Sequence, residues 1–600
     1  MNDSRKYIIK GLILFITLVF TIRLFVLQIV NDDYAKKAEH NIIQRSIEYP
    51  FRGLIYDRNG KLLVYNTPEF DIRVTPKEVS IQDTSYLLEV FNITMEEFLD
   101  KMEQAISFSK VKSSIFLKQL SLEEFSKIQD HLIDFKGFDV TARTGRAYSY
   151  PAIANAFGYV SEISRAQLER DSSKYYQQGD YLGQSGLEAY YEKFLRGKRG
   201  VSYKIKNVSG EEKGRFQDGK LDTLAVEGMD LQSTIDIDLQ MYGKYLMEGK
   251  SGSIVAIEPS TGELLALVSG PSYDPSLLTG RHYGENFYAI ARDSLKPLFN
   301  RPLMAQYRPG SIFKIIQAMI GLQEEAITIN TRITCNRNLI GCHGAHSYED
   351  LEGAITHSCN PYFFNVMKRV VNKGVSSDTY EDTKLGLNVW RKHVSSFGFG
   401  KPLGVDLPSE KGGLIPDPNY YDRAYRGRPW KYSNIFSIAI GEGENLVVPI
   451  QMANLASIIA NRGFYYVPHL VKKIGEDGGP LPLYLEKQYT SINSEYFEVA
   501  VEAMHRVVEE GTGRRAKIPG LEVCGKTGTV QNDPLPDHSV FIAFAPKENP
   551  KIAISVYVED SGQGGRAAAS IASLMIEKYL FGATSRPYIE DYALNGKFIY

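Results

Sequence analysis

The sequence predicts a protein of the α/β class, of the α+β type. An antiparallel sheet flanked by helices is expected to follow an elongated mixed region and one membrane-spanning helix. An apolar run of about 20 residues starts at Gly11, which is long enough to cross a bilayer as a helix. The strand patterns "SGSIVAIEPSTGELLALVS" and "KIAISVYVED" lie near the two ends of the C-terminal part. Helical patterns such as "SIFKIIQAMIGL" lie between them, which favours a sheet covered by helices.

The N-terminus predicts a retained signal anchor. Three basic residues lie among the first ten, and the apolar run then occupies residues 11–30. No small-residue cleavage site follows, so we favour an anchor over the alternatives, a cleaved signal peptide or a buried helix. The basic flank predicts a cytoplasmic tail at residues 1–10, and residues 31–600 are then expected on the other side of the membrane.

Composition excludes some classes of protein. A net charge of -2 and the absence of a Lys/Arg run argue against a nucleic-acid partner. Four cysteines in 600 residues do not make a disulfide scaffold. The length calls for two or three domains. We place one boundary near residue 245, between residues 31–245 and residues 246–600, and residues 70–230 show no obvious catalytic constellation.

The stretch "QYRPGSIFKIIQAMIGL" contains the first candidate for chemistry. Lys314 lies three residues after Ser311 on a mainly apolar helix, and residues three apart share a helix face. A serine hydroxyl becomes a good nucleophile when a neighbour takes its proton. A lysine can do so where burial and a second cation favour its neutral amine. The alternative is that Ser311 caps the helix and Lys314 faces solvent.

Two further strings favour catalysis over that alternative. They are S-C-N at residues 358–360 and K-T-G-T at residues 526–529. Each string is weak alone. The ordered set S-x-x-K, S-x-N and K-T-G is the signature of penicillin-binding proteins and serine β-lactamases.

Longer stretches resemble the class B penicillin-binding proteins in sequence and order. They include "RGLIYDRNGKLL", "GQSGLEAYYEKFLRGKRG", "FNRPLMAQYRPGSIFK" and "GTGRRAKIPGLEVCGKTGTVQ", and the resemblance covers nearly the whole chain after the anchor. Within the class the chain looks most like the elongation-type enzyme, penicillin-binding protein 2, and the division-type transpeptidase comes next. Two departures are small: "GEGENLVVPIQ" stands where G-Q-G is expected, and Ser570 stands where a proline is common.

The resemblance implies a location and an activity. Residues 31–245 would form the dimerisation-type domain of the family, which we call the pedestal, and residues 246–600 the transpeptidase domain. The protein would lie in the inner (cytoplasmic) membrane with its bulk in the periplasm. It would cross-link the stem pentapeptides of peptidoglycan during elongation through an acyl-serine, and β-lactams would acylate the same serine. A membrane partner, the SEDS-family glycosyltransferase that acts as rod-shape polymerase, is implied as well. The acyl transfer needs no cofactor.

The resemblance also implies roles for single residues. Ser311 would attack the carbonyl of the penultimate D-Ala, and Lys314 would take the proton of its hydroxyl. Ser358 would relay a proton to the leaving amine, Asn360 would hold Lys314 and the substrate amide, and Lys526 would keep the local potential positive. The substrate-binding residues would be Thr527, Gly528 and Thr529, where the threonines hold the terminal carboxylate and the glycine permits close approach. The N–H groups of Ser311 and Thr529 would form the oxyanion hole.

A group of soft ligands surrounds the second motif: Cys335, Cys342, His346 and Cys359. Such a set suits tetrahedral zinc. Cys359 is the middle residue of S-C-N, so a metal would brace the catalytic loop, and some relatives resemble this arrangement with a histidine thirteen residues earlier. His343 is the competing nitrogen. A Cys335–Cys342 disulfide beside a free Cys359, or inert cysteines, are the alternatives. Cys524 is expected to pack in the core.

Two other classes of function are alternatives. A penicillin sensor or a catalytically silent scaffold would keep the fold, but only about ten residues precede the anchor and all three motifs are intact. A hydrolase, either a D,D-carboxypeptidase or a β-lactamase, would pass the acyl group to water. The sequence has no clear E-x-x-L-N string that would supply a deacylating base.

Overall fold

The computed structural model describes residues 3–27, 43–206, 212–344, 346–596 and 598. The strands of the N-terminal part are β1 Ile43–Glu48, β2 Ile55–Tyr56, β3 Leu62–Val74, β4 Ser114–Leu120, β5 Phe138–Tyr148, β6 Val160–Glu162, β7 Tyr181–Gly183, β8 Gly200–Lys206, β9 Glu212–Arg215 and β10 Leu231–Ser233. Those of the C-terminal part are β11 Gly252–Ile257, β12 Leu264–Gly270, β13 Ile333–Thr334, β14 Tyr348–Glu349, β15 Phe464–Tyr466, β16 Val471–Ile474, β17 Lys487–Tyr489, β18 Cys524–Val530, β19 His538–Ala545 and β20 Ile552–Val558.

The helices alternate with these strands. They are α1 Asp3–Phe25, α2 Thr84–Phe91, α3 Met95–Phe108, α4 Leu122–Ile128, α5 Ala154–Phe157, α6 Arg165–Arg170, α7 Gly186–Tyr190, α8 Glu192–Leu195, α9 Ile237–Leu246, α10 Tyr283–Arg292, α11 Arg301–Met304, α12 Lys314–Gln323, α13 Leu351–Thr356, α14 Asn360–Val371, α15 Thr379–Ser396, α16 Pro418–Ala424, α17 Tyr432–Ile435, α18 Pro449–Ala460, α19 Ser494–Glu509, α20 Ala567–Phe581 and α21 Pro587–Asn595. The mixture confirms the predicted α/β class.

The described chain forms two compact units. The first contains the described residues of Met1–Gly53 and of Arg196–Met229. Here β1, β8 and β9 form a small antiparallel sheet. Helix α1 contains the apolar stretch Lys6–Phe25, whose 20 residues are enough to cross a membrane. Residues 28–30 of the predicted anchor lie outside the described residues.

The second unit contains residues 54–195 and 230–600. A sheet with the strand order β16-β10-β2-β3-β4, in which β5 also pairs with β3, runs through it. Strands β2 to β5 come from the pedestal, whereas β16 comes from the transpeptidase domain. The boundary that we placed near residue 245 therefore does not separate two compact bodies, because strands from both of its sides share one sheet.

A five-stranded antiparallel sheet with the order β12-β11-β20-β19-β18 forms the centre of the C-terminal part. Helices α9 and α20 cover one face, and α18 and α19 pack on the other. All residues of β11, β12 and β20 are buried as a result. The predicted antiparallel sheet flanked by helices is confirmed. Strand β18, which carries K-T-G, is at the edge of this sheet.

Helix α12 explains why a lysine can be buried beside that edge. Its residues from Lys314 to Leu322 are all buried, because it is apolar on every side and runs through the core. Lys314 itself has an exposure of 0%. The alternative of a solvent-facing lysine is wrong, since the helix leaves no side of this residue open to water.

Candidate active site

The first motif lies on a tight turn. Gly310–Phe313 forms a 3-10 turn that leads directly into α12, so Ser311 stands half-buried one turn before Lys314. The turn packs against β18 at Gly528. A Cβ atom at Gly528 would lie only 3.2 Å from the carbonyl oxygen of Pro309 and 3.2 Å from the Ile312 side chain. Glycine at this position therefore allows the serine turn to approach the strand.

The second motif forms a sharp bend between α13 and α14. Ser358 has a φ of 58°, in the left-handed region that residues other than glycine rarely adopt. This bend turns both of its oxygens toward Lys314. The Lys314 Nζ donates to the Ser358 carbonyl oxygen at 2.7 Å, to its Oγ at 3.1 Å and to Asn360 Oδ1 at 2.5 Å. Three acceptors match the three donors of a charged lysine.

The third motif supplies a second buried lysine. Lys526 has an exposure of 0%, and its Nζ donates to Ser358 Oγ at 3.1 Å and to the Thr527 carbonyl oxygen at 3.0 Å. The Ser358 hydroxyl therefore receives hydrogen bonds from both lysines. Residues from three distant segments of the chain meet at this one oxygen.

The pKa values of both lysines are lowered. Burial lowers the pKa of Lys314 to about 8, against the opposing effect of nearby groups that include Glu442. Burial lowers the pKa of Lys526 well below its ordinary value, and the positive charge of Lys314 lowers it further. Both shifts favour release of a proton in the empty cleft, and each lysine opposes a positive charge on the other. A bound carboxylate at Lys526 would favour a positive charge on that lysine.

The threonines of the third motif are held by residues that the sequence did not single out. Thr527 Oγ1 and Thr512 Oγ1 lie 2.7 Å apart, and either hydroxyl can donate. Thr529 Oγ1 accepts the Gly564 N–H at 3.2 Å. Thr512 lies in the string "GTGRRAKIPGLEVCGKTGTVQ" that contributed to the resemblance, so its position was available as a signal. Gly564 had no such signal.

The soft ligands come together as predicted from their spacing. The ligand atoms of Cys335, Cys342, His346 and Cys359 all lie within 4.8 Å of one another. Cys342 Sγ and His346 Nε2 are 3.5 Å apart, which suits two ligands of one tetrahedral zinc at about 2.3 and 2.0 Å. His343 is exposed and not a member of the group.

The cysteines are free thiols in the structure, so the alternative Cys335–Cys342 disulfide is not formed. The pKa of Cys342 is lowered, and the largest cause is the hydrogen bond that the Cys359 thiol donates to it. Cys359 is fully buried, and Cys524 is fully buried in β18 at a distance from the group along the chain. The packing of Cys524 in the core agrees with its expected role.

A family model described as the penicillin binding protein transpeptidase domain matches residues 252–577. The chain belongs to this family. A second family model, the penicillin-binding protein dimerisation domain, matches residues 47–233 of the same penicillin-binding protein. The resemblance found in the sequence is thus confirmed, and residue 245 falls between the two matched ranges.

Relatives of this penicillin-binding protein match it over most of its length. The peptidoglycan D,D-transpeptidase MrdA of Acinetobacter baumannii is 29% identical over 97% of this chain and 88% of that protein. The protein of the same name from Escherichia coli is 28% identical over 95% of this chain and 93% of that protein.

Solved structures of penicillin-binding protein 2 share the fold. One is the penicillin-binding protein 2 of Helicobacter pylori in its complex with MreC. It aligns with a TM-score of 0.72 at 24% identity, over 90% of this chain and 99% of that chain. A chain described under structural coordination of polymerization and crosslinking by a peptidoglycan synthase complex gives a TM-score of 0.69 at 24% identity, over 97% and 99%. At 24% identity these structures show the fold, and together with the relatives named MrdA they confirm the predicted likeness to penicillin-binding protein 2.

Proposed function

We propose that the protein is a peptidoglycan D,D-transpeptidase of the elongation type, with Ser311 as its nucleophile. One observation carries the proposal: the side chains of Lys314 and Lys526 both donate to Ser358 Oγ at 3.1 Å, beside the serine turn. This arrangement supplies a proton acceptor, a proton relay and a cation around one small volume. The family and the names of the relatives support the same activity.

Acylation starts with the binding of a stem peptide that ends in D-Ala-D-Ala. We infer that its terminal carboxylate binds near Lys526, with hydrogen bonds from Thr527 and Thr529. The carboxylate would stabilise a positive charge on Lys526 and so help Lys314 to release its proton. Neutral Lys314 then takes the proton of Ser311 as the Oγ attacks the carbonyl carbon of the penultimate D-Ala.

Collapse of the tetrahedral intermediate needs a proton on the leaving amine. Ser358 can pass one from Lys314, because its Oγ already accepts a hydrogen bond from that lysine. The C–N bond breaks, terminal D-Ala leaves as a neutral amine, and the acyl group stays on Ser311 Oγ. The N–H groups of Ser311 and Thr529 would stabilise the oxyanion, a term of about 3 kcal/mol for one donor in other acyl transferases.

The second half reverses these steps with a new nucleophile. The neutral amine of a neighbouring stem peptide attacks the ester carbon, the bond to Ser311 Oγ breaks, and an amide cross-link forms. The serine oxygen takes back a proton through Lys314, which returns the site to its starting state. A β-lactam would acylate Ser311 in the same way and remain attached.

We also propose a structural zinc ion, held by Cys335, Cys342, His346 and Cys359. The donor set supports it, since three sulfurs and one imidazole nitrogen within a few ångströms are what zinc binds at structural sites. The ion would tie the segment 335–346 to the catalytic loop at Cys359, and it would take no part in the reaction of the substrate. Its effect would reach Asn360, whose backbone N–H donates to Cys342 Sγ at 3.4 Å.

We infer that α1 anchors the protein with its N-terminus in the cytoplasm and its bulk in the periplasm. The basic residues before the apolar stretch support this orientation. A SEDS-family glycosyltransferase is the membrane partner that we propose, and the likeness to a chain of a peptidoglycan synthase complex is in line with it.

The test uses the full chain in detergent. A fluorescent penicillin should label the wild type stably and fail to label Ser311→Ala, while Ser570→Ala, which changes a serine outside the three motifs, should label normally. Incubation with stem pentapeptides, with and without the polymerase, should then give cross-linked dimers. A product of shortened monomers alone would indicate a D,D-carboxypeptidase, and a folded protein without labelling would indicate a scaffold.

A further inference from the structure

Glu442 lies beside the serine turn, in the string G-E-G at residues 441–443, where the family resemblance leads us to expect G-Q-G. The preceding residue, Gly441, fixes its position. The Gly441 carbonyl oxygen accepts the Gly310 N–H at 2.9 Å, and a Cβ atom at Gly441 would lie 2.1 Å from the Gly310 carbonyl oxygen. Glu442 is thus held against the turn that carries Ser311.

The Glu442 carboxylate lies between the end of β18 and the segment that leads into the serine turn. Its Oε1 accepts the N–H of Gln531, the residue after β18, at 3.4 Å. Its Oε2 lies 3.7 Å from Nη1 of Arg308, three residues before Ser311, and has no hydrogen-bond donor within the described residues. The side chain is 12% exposed. This carboxylate is therefore nearly buried and incompletely satisfied, an arrangement that makes its charge costly.

Charged groups from each neighbouring element face this carboxylate. Arg308 and Lys314 favour its ionised form, whereas Asp537, in the loop after β18, opposes it. Tyr557 of β20 also interacts with it. Burial is the largest effect and raises the pKa of Glu442 to about 7. The group can therefore change its charge near neutral pH while it faces the catalytic lysine.

We propose that Glu442 is a positioning residue whose charge controls the rate of Ser311 acylation. Ionised Glu442 stabilises the proton on Lys314 and repels the anionic end of the substrate, so that it slows acylation. Protonated Glu442, or glutamine in its place, removes both effects and keeps the side-chain shape. The proposal rests on the acyl-serine function proposed above.

The test compares the wild type with Glu442→Gln, which replaces one oxygen by an amide nitrogen. The second-order rate constant for acylation by a fluorescent penicillin is measured on the full chain from about pH 5.5 to 8.5. We expect the ratio of variant to wild type to be near one at low pH and to rise through about pH 7. It should reach about fivefold at pH 8.5, the size expected from one partly screened charge. In this ratio, the pH dependence that comes from groups present in both proteins cancels.

Two further variants control the experiment. Glu444→Gln changes a carboxylate two residues away that accepts the hydroxyl of Tyr421 at 3.0 Å, and its ratio should stay near one at every pH. Arg308→Gln removes the cation that favours ionised Glu442, so the pKa of Glu442 should rise. Slowing of acylation by ionised Glu442 should therefore begin at a higher pH in this variant than in the wild type. Because Arg308 is 45% exposed, this variant remains informative if Glu442→Gln does not fold.

The outcomes separate the two proposals. A wild type that labels at Ser311 with a ratio independent of pH, or a Glu442→Gln variant that is slower at every pH, would overturn the role of Glu442 alone. An Arg308→Gln profile identical to that of the wild type would overturn it as well. A folded wild type that is not labelled would overturn the acyl-serine function, and this inference with it.

Discussion

The two sides of the catalytic cleft are built in different ways. The strand wall, residues 526–529 of β18, is held by a continuous backbone ladder to β19. The loop wall, residues 358–360, has two backbone hydrogen bonds to α13, from the Ser358 and Cys359 N–H groups. Its third residue depends on the cysteine segment: the Asn360 side-chain amide donates to the Gly341 carbonyl oxygen at 2.7 Å, and its backbone N–H donates to Cys342 Sγ at 3.4 Å. A backbone ladder survives most changes of side chain, whereas the loop wall needs the cysteine segment in place. Thiol chemistry should therefore affect one wall and spare the other.

The largest effect should come from Lys314, whose amine donates to the loop wall. Lys314→Ala removes the proposed base and the donor to Ser358 and Asn360, so acylation by a fluorescent penicillin should fall by about 10³-fold. The expected control is Lys392→Ala, which changes an exposed lysine of α15 and should acylate at the wild-type rate. A fall of less than tenfold for Lys314→Ala would move the role of base to Lys526 of the strand wall.

The pH dependence separates the two lysines. The lowered pKa of Lys314, about 8, means that its neutral form grows as pH rises toward that value. Since acylation needs the neutral amine, Lys314 alone should increase the rate constant by about 50-fold between pH 6 and pH 8. The slowing of about fivefold proposed for ionised Glu442 would reduce this rise to about tenfold in the wild type. Burial and the charge of Lys314 lower the pKa of Lys526 as well, so the profile of Lys314→Ala, which should lack this rise, assigns it to Lys314. A rate that falls as pH rises from 6 to 8 would contradict the base assigned here.

Two buried cysteines, one for each wall, test the comparison directly. Cys359→Ser, in the loop wall, should lose the bound zinc and slow acylation by about tenfold, because Asn360 loses its support. Cys524→Ser, at the start of β18, should keep the metal and the wild-type rate, although burial of a hydroxyl costs about 1–3 kcal/mol of stability. Zinc content by mass spectrometry and penicillin labelling are measured on the same samples.

Equal loss of activity in both cysteine variants would break the comparison, since it would mean that the strand wall is as sensitive as the loop wall. Zinc retained in Cys359→Ser would show that this thiol is not a ligand. Removal of metal from the wild type by a chelator should reproduce the Cys359→Ser rate and leave that of the variant unchanged.

The sequence predicted the parts of the site that short strings encode. The three motifs, the antiparallel sheet and the soft-ligand group needed only residue identity, order and spacing. It did not predict the left-handed bend at Ser358, which is a local backbone conformation, or the lowered pKa of Lys526, which depends on burial by distant segments. Nor did it predict that pedestal strands share a sheet with β16, since β10 and β16 pair across a long sequence separation.

The smallest effect should come from a side-chain contact within the strand wall. Thr512→Val keeps the shape of Thr512 and removes its hydrogen bond of 2.7 Å to Thr527 Oγ1. Because the ladder to β19 still fixes the Thr527 backbone, acylation should slow by only about threefold, in line with one neutral hydrogen bond of about 0.5–1.5 kcal/mol. The loss should appear in the binding of substrates with a terminal carboxylate more than in the acylation step.

Thr512→Ser, which restores the hydroxyl, should recover the wild-type rate. A loss of 100-fold in Thr512→Val would mean that the strand wall depends on its side chains as much as the loop wall does, because the ladder would then be insufficient to hold Thr527 for the substrate.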